Sequence, residues 1–555
     1  MDRPCQSSIS HFLWGASTSS YQVEGGITNN DWNLFTTSED IRLRLYAMTK
    51  PNMFYKGVSQ VEMKPAGEAV KAWQPEYYSK DFDLAAQIGL NSFRISLEWG
   101  RIEPGRRQWD QQVIEHYKEM IGSIREHGLV PIVTLNHLTL PLWVLTPPTR
   151  FTRRLGQSLL PSPLRDIPIG EPVSTDPYWK SLRGWENHET VNEFISFVAN
   201  VVQELKNQID YWITFAEPVA SIIGSGYIAG LWPPGFLLDG KRAKKVLHNL
   251  IEAHVLAYDK IKELDDVDSD GDGKTSLVGF SHAMTEVSPA ISKSRISKLK
   301  NNNVEASKNF AYFINDYLIN ALIKGEEDLN YLETLERHNK ESTNFKIHKN
   351  WIDKTDFIGV NYYRRVYVYY SNIVAFSSAK FVGGAFFNDL HTKNEQPHGI
   401  LNDLGWEIYP KGLYNIITHI TKEWNNVPIL ITENGIADKS DKQRAQFIIS
   451  HLQQIRLALD KGSNVIGYLH WSFMDNYEWL DNYKPEAKFG LFYVDRSNPN
   501  LPRVITRGAK AYKFIVQESC NENKDGTVTS LALLKAENRF GTFSPDGFHL
   551  YGQPT

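Results

Sequence analysis

A single (β/α)8 TIM barrel is the fold class this sequence predicts, an α/β chain with long loop insertions on the carboxyl-end face of its strands. Three observations predict it. Eight short, β-rich apolar runs are spaced along the 555 residues. Amphipathic helical stretches separate most of them, and polar, charged or aromatic side chains finish the runs. Eight strands with intervening helices favour a closed barrel over an open doubly wound sheet.

The runs, in order, are Phe12–Ala16, Ser92–Leu97, Val130–Leu135, Tyr211–Phe215, Ser276–Ser281, Asp356–Val360, Pro428–Thr432 and Val465–Leu469. Helical patterns are predicted over Ser79–Ile88, His116–His127, Thr190–Leu205, Val246–Leu264 and Lys442–Leu459. In the fourth of these, Val246, Leu250, Ala253, Ala257 and Ile261 recur at three and four, which is one face of a helix. No GxGxxG or GxxxxGK[ST] follows any run, so nucleotide-binding alternatives lose their usual signature. Residues 1–520 are assigned to the barrel. Ser38–Lys71 (about 38–71) and Pro147–Leu182 (about 147–182) are expected as insertions, and 521–555 as a polar appended C-terminal tail whose packing the sequence leaves undetermined.

Composition narrows the function. Hydrophobic content of 41 % and charged content of 22 % are ordinary for a globular chain. A net charge of −4 gives no broad electrostatic case for nucleic acid or an anionic membrane. No run reaches the ~18–20 apolar residues of a membrane span. The expected partner is a small molecule, with no nucleic acid, no membrane and the oligomeric state open. The start of the chain, Met1 to Ser8, lacks the apolar core of a signal peptide, so a cytoplasmic location is expected. The two cysteines, Cys5 and Cys520, show no metal spacing and are expected as free thiols in a reducing compartment, with a terminal staple as the alternative. Aromatics make up 12 % of the chain, which suits stacking on the apolar faces of sugars and equally suits a large core.

The chemistry lies at the strand ends. Tyr211–Phe215 leads through Ala216 to Glu217, and Pro428–Thr432 leads to Glu433. Two strand-end carboxylates are what a double-displacement glycosidase needs, one as nucleophile and one as acid/base, about 5–5.5 Å apart. The other ends supply Gln22 and Glu24, then Arg94, Asn136 and His137, then Asn361 and Tyr363, and finally His470, Trp471, Glu478 and Trp479. Arg94 sits in an apolar run, so it needs an anionic partner. Glu433 is the natural one, and the pairing is expected to keep Glu433 ionised.

These strings resemble glycoside hydrolase family 1, the β-glucosidase family. The likeness is carried by Phe12–Gly25 (FLWGASTSSYQVEG), Phe93–Pro104 (FRISLEWGRIEP), Asp356–Tyr363 (DFIGVNYY), Gly405–Pro410 (GWEIYP), Ile431–Gly435 (ITENG) and Gly467–Trp479 (GYLHWSFMDNYEW). It implies a retaining β-glycosidase without cofactor or metal, with Glu433 as nucleophile and Glu217 as acid/base. Arg94 and Tyr363 would support Glu433. Gln22, His137, Asn361, Trp471, Glu478 and Trp479 would hold the sugar, and Trp406 would form a wall for the leaving group. A carboxylate at Glu478 implies a sugar without a 6-phosphate, and the presence of Glu217 argues against a thioglucosidase. A transglycosidase using the same intermediate and a sugar-binding pseudoenzyme are the alternatives.

Three positions depart from the family pattern. Ala216 stands where the resemblance implies an asparagine on the sugar's 2-hydroxyl. Three readings stay open: Asn136 or Asn361 replaces that contact, the sugar differs at C2 or turnover is slow, or transfer is favoured over hydrolysis. Leu138 stands for an aromatic beside His137, which enlarges the site, and His470 stands for an aromatic before Trp471. Residues 266–274 resemble the start of a calcium loop but lack the carboxylate at its twelfth position, which favours an acidic turn.

Overall fold

The computed structural model describes residues 12–38, 64–146, 180–236, 239–290, 297–329, 345–370, 379–382 and 399–548. Its centre is a closed barrel of eight parallel strands: β1 (Leu13–Ser17), β2 (Ser92–Ser96), β3 (Val130–Asn136), β4 (Tyr211–Ala216), β5 (Leu277–Ala283), β6 (Phe357–Tyr362), β7 (Ile429–Asn434) and β8 (Val465–Trp471). Each strand pairs with its neighbour in sequence, and β8 closes on β1 with Leu13 opposite Gly467 and Ser17 opposite Trp471. All eight lie within two residues of the predicted runs. Leu13, Ile132, Ile213, Phe357, Leu430 and Leu469 form one buried cluster contributed by six of the strands. Each such burial contributes about 1.5–3 kcal/mol, a stable base beneath a polar upper layer.

Ten α-helices of eight residues or more lie among the described residues: α1 (Pro75–Gln87), α2 (Gln111–Glu126), α3 (His188–Leu205), α4 (Gly240–Leu264), α5 (Ser297–Ala311), α6 (Tyr317–Lys324), α7 (Pro410–Glu423), α8 (Arg444–Asp460), α9 (Arg507–Glu522) and α10 (Ser530–Phe540). Their starts carry recognisable signals. Asp110, Asn187, Asp239, Thr506 and Thr529 accept backbone N–H bonds as N-caps, and Pro75 and Pro410 open α1 and α7. Helix α7 was absent from the sequence expectation. Its apolar positions Leu413, Ile416, Ile417 and Ile420 are helically spaced and buried, but its Ile- and Thr-rich composition also suits strand.

The C-terminal segment is not an appendage. Ala532, Leu533 and Ala536 of α10 are buried, Trp14 Nε1 donates to Gly526 O at 2.7 Å, and Phe543 joins Ile408, Ile436 and Phe447 in a core cluster. The expected insertions fall largely outside the described residues, at 39–63 and 147–179. Cys520 is disulfide-bonded, and Cys5 lies outside the described residues. This corrects the expectation of free thiols and removes the cysteine argument for a reducing compartment. Among the described residues, no helix is long and apolar enough to cross a membrane.

Candidate active site

Strand β7 is buried throughout and carries Glu433 to the barrel mouth. Its pairing with β6 slips between Ile431 and Glu433, so Glu433 lies opposite Asn361 and Asn434 opposite Tyr362. Asn434 Nδ2 donates to Tyr362 O at 2.7 Å, which locks the slipped end. Gly435 follows because a Cβ there would collide with the Trp471 carbonyl oxygen.

Glu433 is buried and held from both sides. Arg94 Nη1 donates to its Oε1 at 2.7 Å and the Tyr363 hydroxyl donates to its Oε2 at 2.7 Å. Arg94 is completely buried, and its Nε donates to Thr134 Oγ1 at 2.9 Å. The partner that the buried arginine required is therefore Glu433. The pairing expected to keep Glu433 ionised works against its burial. Burial pushes its carboxyl up to about 7; Arg94 and Tyr363 oppose that rise, while the charge of Glu217 adds to it.

Glu217 ends β4 differently. It adopts a left-handed conformation, φ 50° and ψ 49°, ahead of an eleven-residue π-helical segment, Pro218–Ile228. That turn brings Ser221 back to the carboxylate, where its hydroxyl donates to Oε2. Asn361 Nδ2 donates to Oε1 at 2.8 Å. Asn361 thus links the two carboxyls, bonded to Glu217 and in register with Glu433. Its Oδ1 accepts from Ser281 and Thr432 at 2.8 and 2.7 Å, which leaves one amide N–H for a substrate.

The sugar-contact candidates form an aromatic and polar wall. The His137 ring lies 6.1 Å from Trp471 and 6.3 Å from Trp479, near parallel to both. Burial drives its imidazole well below the ordinary histidine range, so it is neutral, and its Nδ1 has no partner among the described residues. Trp471 Nε1 points to Glu478 Oε1 at 3.4 Å, and burial raises the Glu478 carboxyl well above its ordinary value. Trp406 lies 5.9 Å from the Tyr363 ring in an edge arrangement. Gln22 is more committed to the protein, donating to Tyr477 O at 2.6 Å and accepting from Ser19. Leu138 lines a cavity of about 50 Å³ together with Ser221, Ile222 and Trp232.

Other sequence candidates lie elsewhere. His470 is buried beside Tyr468 and Tyr512, 6.4 Å from the latter ring, so that departure from the pattern sits behind the strand. Glu24 accepts from Tyr117 at 2.8 Å and lies 3.7 Å from Arg101, in a network separate from the two carboxyls. Asn136 Nδ2 donates to Thr139 O at 2.9 Å, and its Oδ1 has no partner among the described residues. The acidic turn closes on itself, Asp268 accepting from Gly271 and Gly273, with the Asp210, Asp268 and Asp270 carboxylates within 4.8 Å of one another. Sequence reasoning missed Ser221 and Arg364. The first lies one helical turn past Glu217; the second is a cation directly after Tyr363, a signal that was available.

Comparison with known proteins fits this geometry. The profile described as "Glycosyl hydrolase family 1" matches residues 6–147 and 179–521, so the break falls in the second expected insertion. A β-galactosidase of Pyrococcus woesei is 28 % identical over 89 % of this chain and 94 % of its own. β-Glucosidase A of Thermotoga maritima is 26 % identical over 92 % and 97 %. The solved structure of a β-glycosidase from Pyrococcus horikoshii aligns with a TM-score of 0.66 at 25 % identity, covering 96 % of this chain and 97 % of that one.

Proposed function

The chain belongs to glycosyl hydrolase family 1, and from that premise we propose that Glu433 is the nucleophile and Glu217 the acid/base of a retaining β-glycosidase. One observation carries the assignment: Glu433 is fixed between a guanidinium and a phenol, whereas Glu217 is held by neutral donors alone. A nucleophile needs its negative charge stabilised, and a proton donor must do without a cation bonded to it.

The pair works with one proton. While Glu217 holds it, the repulsion that helps to raise Glu433 is lifted, and Glu433 attacks C1 as a carboxylate. The glycosidic C1–O bond breaks as Glu217 passes its proton to the leaving oxygen. The glycosyl ester on Glu433 is then opened by water, whose proton Glu217 takes as the C1–O bond to water forms. Regenerated Glu433 returns to Arg94 and Tyr363. The glycone is glucose or a close relative such as galactose, in line with the names of the relatives and with a polar wall of His137, Glu478 and the remaining N–H of Asn361. His137 donates or accepts without competing for a proton, because its ring is neutral.

The test is Glu217→Ala on two β-glucosides. Loss of a general acid costs roughly 10²–10⁴ in rate, so an alkyl glucoside should fall by that factor while a dinitrophenyl glucoside is glycosylated nearly as before. Added azide should yield β-glucosyl azide. Equal losses on both substrates with no azide product would remove Glu217 from this role.

A further inference from the structure

Two adjacent arginines follow Tyr363 at the end of β6, and the structure treats them differently. Arg365 is neutralised by Glu407 through two bonds, Nε to Oε2 at 2.8 Å and Nη2 to Oε1 at 2.7 Å. Arg364 has no ion pair among the described residues. Its guanidinium lies 4.2 Å from the centre of the Trp406 ring, and its Nη1 is sealed from solvent with no hydrogen-bond partner among the described residues. A cation over an aromatic face is attracted through that face. The in-plane N–H donors gain nothing from it, and a buried charged donor without an acceptor is costly.

The position of this cation is functional. Trp406 meets Tyr363 edge-on at 5.9 Å, and Tyr363 donates to Glu433. Arg364 is therefore one ring removed from the nucleophile's support, on the wall proposed for the leaving group. Glu217 makes no ion pair with it: the Glu217 oxygens accept from Asn361 and Ser221, and the Glu217 charge acts on Arg364 only from beyond contact. Burial lowers the Arg364 guanidinium to about 9, with the charge of Glu217 acting the other way. Arg94 is fully buried and has Glu433, whereas Arg364 is half-buried, and among the described residues no acceptor meets its sealed Nη1.

We propose that Arg364, carried on Trp406, forms an anion-recognising leaving-group subsite that selects β-glycosides whose aglycone bears a carboxylate. The planar fork of a guanidinium matches a carboxylate in two parallel hydrogen bonds. An aromatic acid is the best-fitting aglycone, since its ring would lie alongside Trp406 while its carboxylate meets the guanidinium, with Nη1 uncovered as the aglycone enters. This inference rests on Glu433 and Glu217 being the catalytic pair.

The test compares 4-carboxyphenyl, 4-carbamoylphenyl and 4-nitrophenyl β-D-glucopyranosides as substrates of the parent, Arg364→Gln and Arg364→Lys. The carboxylate-to-amide ratio of kcat/KM should be roughly 10- to 100-fold higher in the parent than in Arg364→Gln, with Arg364→Lys between them. The nitrophenyl glucoside reports the catalytic pair separately, so its turnover with an unchanged carboxylate ratio would overturn the subsite alone. Product inhibition of the parent needs no variant: 4-hydroxybenzoate should inhibit about tenfold more tightly than 4-hydroxybenzamide. Equal inhibition by the two would also overturn the proposal, whatever the folding of the variants. A uniform change in all three substrates, with a moved pH profile and no change in ratio, would reassign Arg364 to positioning Glu217.

Discussion

Replacing Arg94 by methionine isolates what the buried ion pair does for Glu433. Methionine keeps an unbranched stem in the apolar run and removes the bonds to Glu433 and Thr134. A hydrogen bond to a charged group contributes about 1.5–3 kcal/mol, and one pKa unit corresponds to about 1.4 kcal/mol. Losing the cation should therefore lift Glu433 by roughly one to two units from its value of about 7. The nucleophile works only when ionised, so the acid limb of kcat/KM moves to higher pH by that amount. Near pH 6 the rate on an aryl β-glucoside should fall roughly 10- to 100-fold beyond any change in the limiting rate, with partial recovery toward pH 8–9. Full pH profiles of the parent and Arg94→Met measure this, alongside thermal melting to verify the fold. A folded variant that loses rate equally at every pH, with its acid limb unmoved, would refute the electrostatic argument.

Two further substitutions probe the sugar wall. Ala216→Asn should raise kcat/KM on a β-glucoside about tenfold, because bonds to the 2-hydroxyl strengthen in the transition state, and leave a 2-deoxyglucoside unchanged; equal gains on both would place the new amide elsewhere. Glu478→Gln should weaken sugar binding yet raise the melting temperature of the free protein at neutral pH. Burial raises the Glu478 carboxyl well above 4.5, so the folded state holds a proton that the unfolded state releases. The parent's stability thus falls as pH climbs above the unfolded value, by at most about 1.4 kcal/mol per pH unit. The advantage of Glu478→Gln should grow from pH 4.5 upward, and a difference in melting temperature independent of pH would contradict this.

Strand positions were legible because a barrel strand is a short apolar run ending in chemistry, and both halves of that signal are local. The Arg94–Glu433 contact was legible from the cost of burying an unpaired cation, although the residues are far apart in sequence. What was not legible depended on balance or geometry. Desolvation outweighs the favourable partners of Glu433, and its size follows from how deeply β7 is buried. Asn361 was expected on the sugar, yet its first bond is to Glu217, set by the strand register between β6 and β7. The left-handed turn at Glu217, and Ser221 folded back onto it, follow from a π-helical segment that no apolar period announces. Helix α7 carries β-branched residues on a helical spacing, and there spacing prevails over composition. Cys520 gave no spacing pattern from which its disulfide could be read.

The central claim is that Glu433 becomes covalently bonded to the sugar. Incubation with 2-deoxy-2-fluoro-β-D-glucosyl fluoride slows release of the glycosyl ester, so intact mass followed by peptide mapping reads the claim directly. One fluoroglucosyl unit per chain, mapped to Glu433, is the predicted result. An adduct on another residue, or inverted product with no adduct, would contradict it.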